Sequence, residues 1–91
     1  MVNENRLFIA SSKLFSDYQL EISLFNVSTI EDIINIFVSS LEDKLKELKL
    51  TNLIKKLSES KFHIHSYTIE DILTSENETI FYICDHENSY S

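Results

Sequence analysis

The chain has 91 residues, with 15 acidic against 8 basic side chains, a formal net charge of −7 and 43% hydrophobic residues. It contains neither glycine nor proline. The missing glycine excludes the phosphate-binding loops of nucleotide enzymes, the dinucleotide-binding turn and the nucleophile elbow, because each needs glycine at fixed positions. The missing proline excludes a proline-rich ligand segment. The hydrophobic content is that of a folded chain.

The length suits a single domain over residues 1–91, with an ordered core over about residues 6–86 and a polar tail over 87–91. The lone cysteine, Cys84, excludes an intramolecular disulfide and suits a reducing compartment. The apolar run from Leu7 to Ala10 is too short for a signal-peptide core or a membrane span. We therefore expect a cytoplasmic or nuclear protein that makes no membrane contact.

Charge divides the chain into acidic, basic and acidic stretches. Residues 44–61 hold six lysines against two acids, whereas the rest holds 13 acids and two basic residues. A net-negative chain neutralises phosphates poorly, so we expect no direct binding to nucleic acid. The lysines fit a solvated helix face, and binding of phosphate or of an acidic partner is the alternative; they are Lys44, Lys46, Lys49, Lys55, Lys56 and Lys61.

The predicted elements begin with two strands. The apolar run from Leu7 to Ile9 suits a first strand that starts at Arg6 and ends in a loop near residues 11–12 or 16–17. Residues 18–25 alternate between apolar and polar, which is typical of a half-buried strand. Its inward side is predicted to carry Tyr18, Leu20, Ile22 and Leu24. Two strands this close in sequence predict an antiparallel hairpin.

A long helix follows the hairpin. Ser28 and Glu31 have the spacing of a capping box, in which each side chain accepts a hydrogen bond from the backbone of the other residue. Apolar residues then recur every three or four positions, at Ile30, Ile33, Ile34, Phe37, Val38, Leu41, Leu45 and Leu48. The period slips over residues 49–51, so we predict a short second helix from Thr51 or Asn52. One bent helix to Ser58 is the alternative.

The last third of the chain predicts two more strands and a helical turn. Residues 61–66 alternate, which places His63 and His65 on one face of a third strand and Phe62 and Ile64 on the other. Thr68 suits the cap of a single helical turn, and residues 76–78 suit a polar turn. Residues 79–84 are β-branched and aromatic and predict a final strand that is apolar on both faces.

Two segments resemble ubiquitin-like proteins. Residues 20–33, LEISLFNVSTIEDI, are similar to the family's second strand, acidic turn and Thr-Ile-Glu helix start. Residues 69–83, IEDILTSENETIFYI, are similar to its short helix, polar turn and final strand. The resemblance implies an α+β fold of the ubiquitin-like β-grasp type, in the order strand, strand, long helix, short helix, strand, helical turn, strand. Other small α+β arrangements are the alternative.

The chain departs from the family in two places. Residues 49–66 insert a helix and lack the usual glycine turns. The sequence ends with NSYS over residues 88–91 rather than with the family's diglycine tail. We therefore expect no conjugation through such a tail.

The resemblance also implies a binding surface. Ile80, Tyr82 and Cys84 would face the helix, whereas Phe81 and Ile83 would face outward beside His63 and His65. A partner protein would dock on that outer sheet face, through His63, His65, Phe81 and Ile83. The alternative places Phe81 and Ile83 in the core. The function predicted is a non-enzymatic ubiquitin-like interaction module or small subunit, and the sequence leaves its oligomeric state open.

Other chemistry is weakly supported by the residues. His63, His65, Cys84 and His86 have donor atoms for a metal, but the spacing differs from that of structural zinc turns, so we predict no metal and no cofactor. Cys84 and a histidine could form a nucleophile pair, but no glycine-lined oxyanion hole accompanies them, so we predict no catalytic residue and no enzyme. The alternative function is a small acidic decoy that mimics nucleic acid and inhibits a nucleic-acid-binding protein.

Overall fold

The computed structural model describes residues 5–76 and 78–85. These residues form a small α+β globule of one three-stranded mixed sheet and three helices. The elements, in chain order, are β1 (Asn5–Ser11), β2 (Gln19–Ser23), α1 (Ile30–Glu47), α2 (Thr51–Glu59), α3 (Ile69–Thr74) and β3 (Ile80–Cys84). The predicted α+β class is confirmed, while the predicted turn at Asn77, His86 and the tail over 87–91 lie outside the described residues.

The first strand lies in the middle of the sheet. The strand order is β2-β1-β3, so β1 pairs with both of the others. β1 and β2 form the predicted antiparallel hairpin, in which Phe8 lies opposite Leu20. β1 and β3 are parallel, with Phe8 opposite Phe81 and Ala10 opposite Ile83. A parallel pair needs a crossover between its strands, and the helices lie on that crossover.

One face of the sheet is buried against the helices. Residues paired side by side project from the same face, so the burial of Phe8 fixes the orientation of its neighbours on β2 and β3. Phe8 stacks on Phe81 with ring centroids 5.4 Å apart, and Phe62 packs edge-on against Phe37 of α1. The core is completed by Ala10, Phe15, Leu20, Ile22, Leu24, Val27, Ile33, Leu41, Leu45, Leu57, Ile72 and Ile83.

The long helix buries four residues of the predicted stripe, Ile33, Phe37, Leu41 and Leu45, and leaves Leu48 exposed. Its N-cap lies one residue later than predicted. The N-cap is Thr29, whose hydroxyl accepts from the Asp32 N–H at 3.1 Å. The Asp32 carboxylate in turn accepts from the backbone N–H groups of Ser28 and Thr29, each at 3.1 Å. The prediction of a Ser28–Glu31 box is therefore wrong. The reason is that the Asp32 carboxylate accepts from two backbone N–H groups at once. A capping box between Ser28 and Glu31 would lack this pair of hydrogen bonds.

The second helix and the capped turn are confirmed. α2 starts at Thr51 as a separate helix, so the alternative of one bent helix does not hold. α3 is capped by Thr68, whose hydroxyl accepts from the Asp71 N–H at 3.1 Å. Among residues 5–76 and 78–85, no helix is long and apolar enough to cross a membrane.

The predicted third strand is reduced to a single bridge. His63 pairs antiparallel with Cys84 through two backbone hydrogen bonds of 2.8 and 2.9 Å. The prediction of a strand over residues 61–66 is wrong in its extent. The chain bends at Ser66 to enter α3, and Tyr67 packs edge-on against Phe81 at 4.8 Å, which draws the segment away from further pairing.

A buried arginine ties the start of β1 to the end of α3. Arg6 is 5% exposed and lies on the core face of β1. Its guanidinium donates to the Ser75 hydroxyl at 3.1 Å and to the Ser75 carbonyl at 2.9 Å, and it also donates to the Asn5 carbonyl at 3.0 Å. These bonds compensate for the desolvation of the charge and fix α3 beside the central strand.

Candidate functional site: the outer face of the sheet

The orientation predicted for β3 is reversed in the structure. Phe81 is 1% exposed and Ile83 is fully buried, whereas Ile80 and Tyr82 are 42% and 52% exposed. The prediction that Phe81 and Ile83 face outward is therefore wrong. The register with β1 is the cause, because Phe81 lies opposite Phe8 and paired residues share a face.

The outer face of the sheet nevertheless carries apolar side chains. Leu7 and Ile9 alternate with the buried residues of β1 and are half-buried. They lie opposite Ile80 and Tyr82, respectively. We call these four residues the outer sheet patch. They project from the face opposite the core, and side chains of this kind are typical of a docking surface when they are contiguous and exposed.

The β2 side of the outer sheet patch is polar. Glu21 lies opposite Leu7, and Gln19 lies opposite Ile9. Both side chains are exposed, as is that of Ser23 at the end of the strand. Glu21 is the one charged side chain that the described strands place on the outer face, because Arg6 points into the core. The surface is therefore apolar in its middle and negatively charged at this border.

Two histidines lie at the opposite border. His63 is half-buried and pairs with Cys84, which alternation places on the same face as Ile80 and Tyr82. The exposed ring of His65 packs on the ring of His63 with centroids 4.3 Å apart and planes tilted by 57°. The Nε2 atom of His63 is shielded from solvent and makes no hydrogen bond to a described residue. The histidines thus share the face of Tyr82 rather than that of Phe81.

The side chains near this face that have reactive or metal-binding atoms are those of Cys84, His63 and His65. Cys84 is a free, half-buried thiol whose backbone is paired with His63. Within the described ranges, no three His, Cys, Asp or Glu side chains are gathered so as to hold a metal ion. His86, the fourth candidate ligand, is not among the residues described. The structure therefore brings together apolar side chains, two imidazoles and one carboxylate.

Sequence reasoning missed the four residues of the outer sheet patch. A strand that is apolar on both faces carries no internal signal of its orientation. The signal lay in β1, where Arg6, Phe8 and Ala10 share one face. A charged residue normally faces solvent, so the presence of Arg6 wrongly indicates that this face of β1 is the exposed one.

The chain matches no protein-family model, no curated protein and no solved structure. The functional assignment therefore depends on the geometry of its own side chains.

Proposed function

We propose that this chain is a non-enzymatic protein-interaction module of the ubiquitin-like β-grasp type, which binds a partner protein through the outer sheet patch. The observation that carries the proposal is the exposure of Ile80 and Tyr82 at 42% and 52%, directly beside Leu7 and Ile9. Apolar side chains of this size on one sheet face are costly in water unless another surface covers them.

The β-grasp assignment is supported by strand order. The first two strands form a hairpin, the long helix crosses one face, and the last strand lies parallel to the first in the same sheet. The His63 bridge adds an antiparallel neighbour to the free edge of β3. This arrangement is compatible with the fold that the sequence resemblance implies.

The chemistry of the patch describes its partner. The middle of the patch accepts apolar or aromatic side chains, and Tyr82 adds a hydroxyl that can hydrogen-bond at the edge of the contact. Glu21 at the β2 border favours a partner residue that is basic. The proposal assigns no catalytic residue, metal or cofactor to the chain.

A capture experiment with matched variants tests the proposal. The tagged wild-type chain, Tyr82→Asp and Ser23→Asp would each be used to capture proteins from extracts of cells that express the chain. Both substitutions add a carboxylate at an exposed outer-face position of a strand, and only one lies in the patch. We expect Tyr82→Asp to reduce recovery of the specific partner at least about tenfold, and Ser23→Asp less than about twofold.

Two outcomes would contradict the proposal. A partner retained fully by Tyr82→Asp, with both variants folded by circular dichroism, would exclude the patch. A partner that is lost from the wild-type chain in high salt, binds Tyr82→Asp unchanged and is displaced by nucleic acid would instead favour the acidic decoy, because salt screens charged contacts and not apolar ones.

A further inference from the structure

The junction between α1 and α2 is a Schellman motif closed by a lysine. The Leu50 N–H donates to the Leu45 carbonyl at 2.9 Å, and the Lys49 N–H donates to the Lys46 carbonyl at 3.0 Å. Lys49 lies between the helices with φ of 62°, in the left-handed region. This position normally takes glycine or asparagine, because a Cβ there comes too close to the following carbonyl oxygen.

A more suitable residue type is used elsewhere in the same chain. The other left-handed residue described is Asn26, with φ of 68°, and asparagine adopts this conformation more readily. Lys49 has an exposed side chain and no ion pair with a described residue, so the cost of its backbone conformation is offset by the two Schellman hydrogen bonds rather than by a side-chain partner. The turn between the two helices therefore exposes a lysine side chain where a glycine would carry none.

Lysines that make no ion pair with a described residue lie on both sides of this junction along the chain. Lys44, Lys49, Lys55 and Lys56 are exposed, and none is ion-paired within the part of the chain that the structure describes. Lys46 differs, since its ammonium lies 3.5 Å from the Glu42 carboxylate. Most of the acids in the chain lie outside residues 44–61. Residues 44–56 therefore hold five lysines against one acid, Glu47, on a chain whose net charge is −7.

An exposed apolar side chain lies next to two of these lysines, Lys44 and Lys49. Leu48 caps the C-terminus of α1 and is 49% exposed. It follows Lys44 by one helical turn, so the two side chains share a side of α1, and it directly precedes Lys49. We call Lys44, Leu48, Lys49, Lys55 and Lys56 the basic corner.

We propose that the basic corner binds a short acidic segment of another protein. Carboxylates of the segment pair with the four lysines, and one apolar side chain of the segment covers Leu48. The proposal adds a second binding surface to the chain and does not depend on the outer sheet patch.

The extent of the surface favours a protein segment over nucleic acid. α2 has nine residues and spans about 13 Å, which suits a few carboxylates rather than a long phosphate chain. A longer polyanion would extend towards the acidic remainder of the protein. Stacking of bases also needs exposed aromatic rings, and Phe62, the nearest aromatic in sequence to the lysines, is buried against Phe15 and Phe37.

A peptide titration followed by NMR tests this proposal. The full chain, labelled with ¹⁵N, would be titrated with an 11-residue peptide that has ten glutamates around a central leucine. A second peptide would carry serine at the centre. We expect saturable shifts at residues 44–56, at least about threefold tighter for the leucine peptide, because burial of a leucine against Leu48 adds apolar contact.

Matched charge changes locate the site. Lys55→Glu and Lys13→Glu alter the net charge equally, and both lysines are exposed. We expect Lys55→Glu to weaken binding about fivefold or more and Lys13→Glu less than about twofold. Lys49→Asn should weaken binding while leaving the unfolding midpoint unchanged or higher, because asparagine suits the left-handed backbone.

Three results would overturn the proposal. They are the absence of saturable shifts with either peptide, equal weakening by Lys55→Glu and Lys13→Glu, and tighter binding of a twelve-nucleotide oligothymidylate at the same residues. A failure here would leave the capture result for Tyr82→Asp unaffected, so the two proposals fail separately.

Discussion

The two faces of β3 carry similar residues and have opposite environments. Ile83 is fully buried and Ile80 is 42% exposed, although both are isoleucines in one five-residue strand. Phe81 and Tyr82 are likewise adjacent aromatic residues, at 1% and 52% exposed. The comparison shows that the environment of a strand residue is set by what lies opposite it. On β3 that neighbour is β1, whose Phe8 and Ala10 lie in the core.

The largest expected difference between the faces is on β1 itself. Phe8→Ala should destabilise the fold by about 3–5 kcal/mol, because it empties the space beneath Phe81. Leu7→Ala, on the outer face, should cost about 1 kcal/mol or less. Urea denaturation followed by circular dichroism measures both. Equal losses for the two variants would contradict the assignment of the faces.

The same comparison within β3 uses a single residue type. Ile83→Ala should cost about 2–4 kcal/mol, since the side chain is fully enclosed. Ile80→Ala should cost less than about 1 kcal/mol, mainly through lower strand propensity. The urea midpoints of the two variants compare the faces directly. A larger loss of stability from Ile80→Ala than from Ile83→Ala would show that the outer face, and not the inner one, is buried.

A smaller loss of stability is expected from substitutions at the N-terminus of α1, the helix that packs on the inner face of the sheet. Thr29→Ala removes the side-chain acceptor for the Asp32 N–H and should cost about 1 kcal/mol. Ser28→Ala removes only an exposed hydroxyl contact of 3.3 Å and should cost less than half as much. If thermal unfolding ranked the two variants in the reverse order, Ser28 rather than Thr29 would be the cap.

The pH dependence of the cap gives the smallest expected effect. The Ser28 backbone N–H, with further hydrogen bonds from Ser28 and Thr29, holds the pKa of the Asp32 carboxyl below its usual value. A carboxyl with a lower pKa in the folded state stabilises the fold above its unfolded pKa of about 4, and this contribution is lost as the pH falls through the folded value. Wild type should therefore exceed Asp32→Asn in stability at pH 7, and the difference should shrink below pH 4. A difference that stays constant from pH 7 to about pH 2.5 would contradict this linkage.

Periodicity predicts β2 and α1 of this chain well. The alternation in β2 and the apolar stripe of α1 each have one polar and one apolar side, so their buried residues follow from spacing alone. The break between α1 and α2 was likewise visible, because the stripe shifts over residues 49–51. The exact cap was not, since Ser28 and Thr29 are both suitable caps and the choice depends on the reach of Asp32.

Properties that depend on pairing between distant segments were not predictable. The buried position of Arg6 requires Ser75, which lies 69 residues away, to satisfy its guanidinium. The orientation of β3 depends on its pairing with β1, in which Phe81 lies opposite Phe8, and Phe8 lies on the same buried face as Arg6. At the candidate site, the sequence predicted Phe81 and Ile83 on the outer face, whereas the structure exposes Ile80 and Tyr82 instead. The part of His63 and His65 in binding stays a prediction.

The claim that Phe81 is buried and Tyr82 is exposed is tested most directly by unfolding Phe81→Asp and Tyr82→Asp side by side in urea. Both variants place a carboxylate at adjacent positions of β3. We predict that Phe81→Asp is unfolded or loses more than about 4 kcal/mol, because the charge would be buried without a partner. Tyr82→Asp should stay within about 1 kcal/mol of wild type. A stable Phe81→Asp together with an unfolded Tyr82→Asp would contradict the assignment of the core and outer faces.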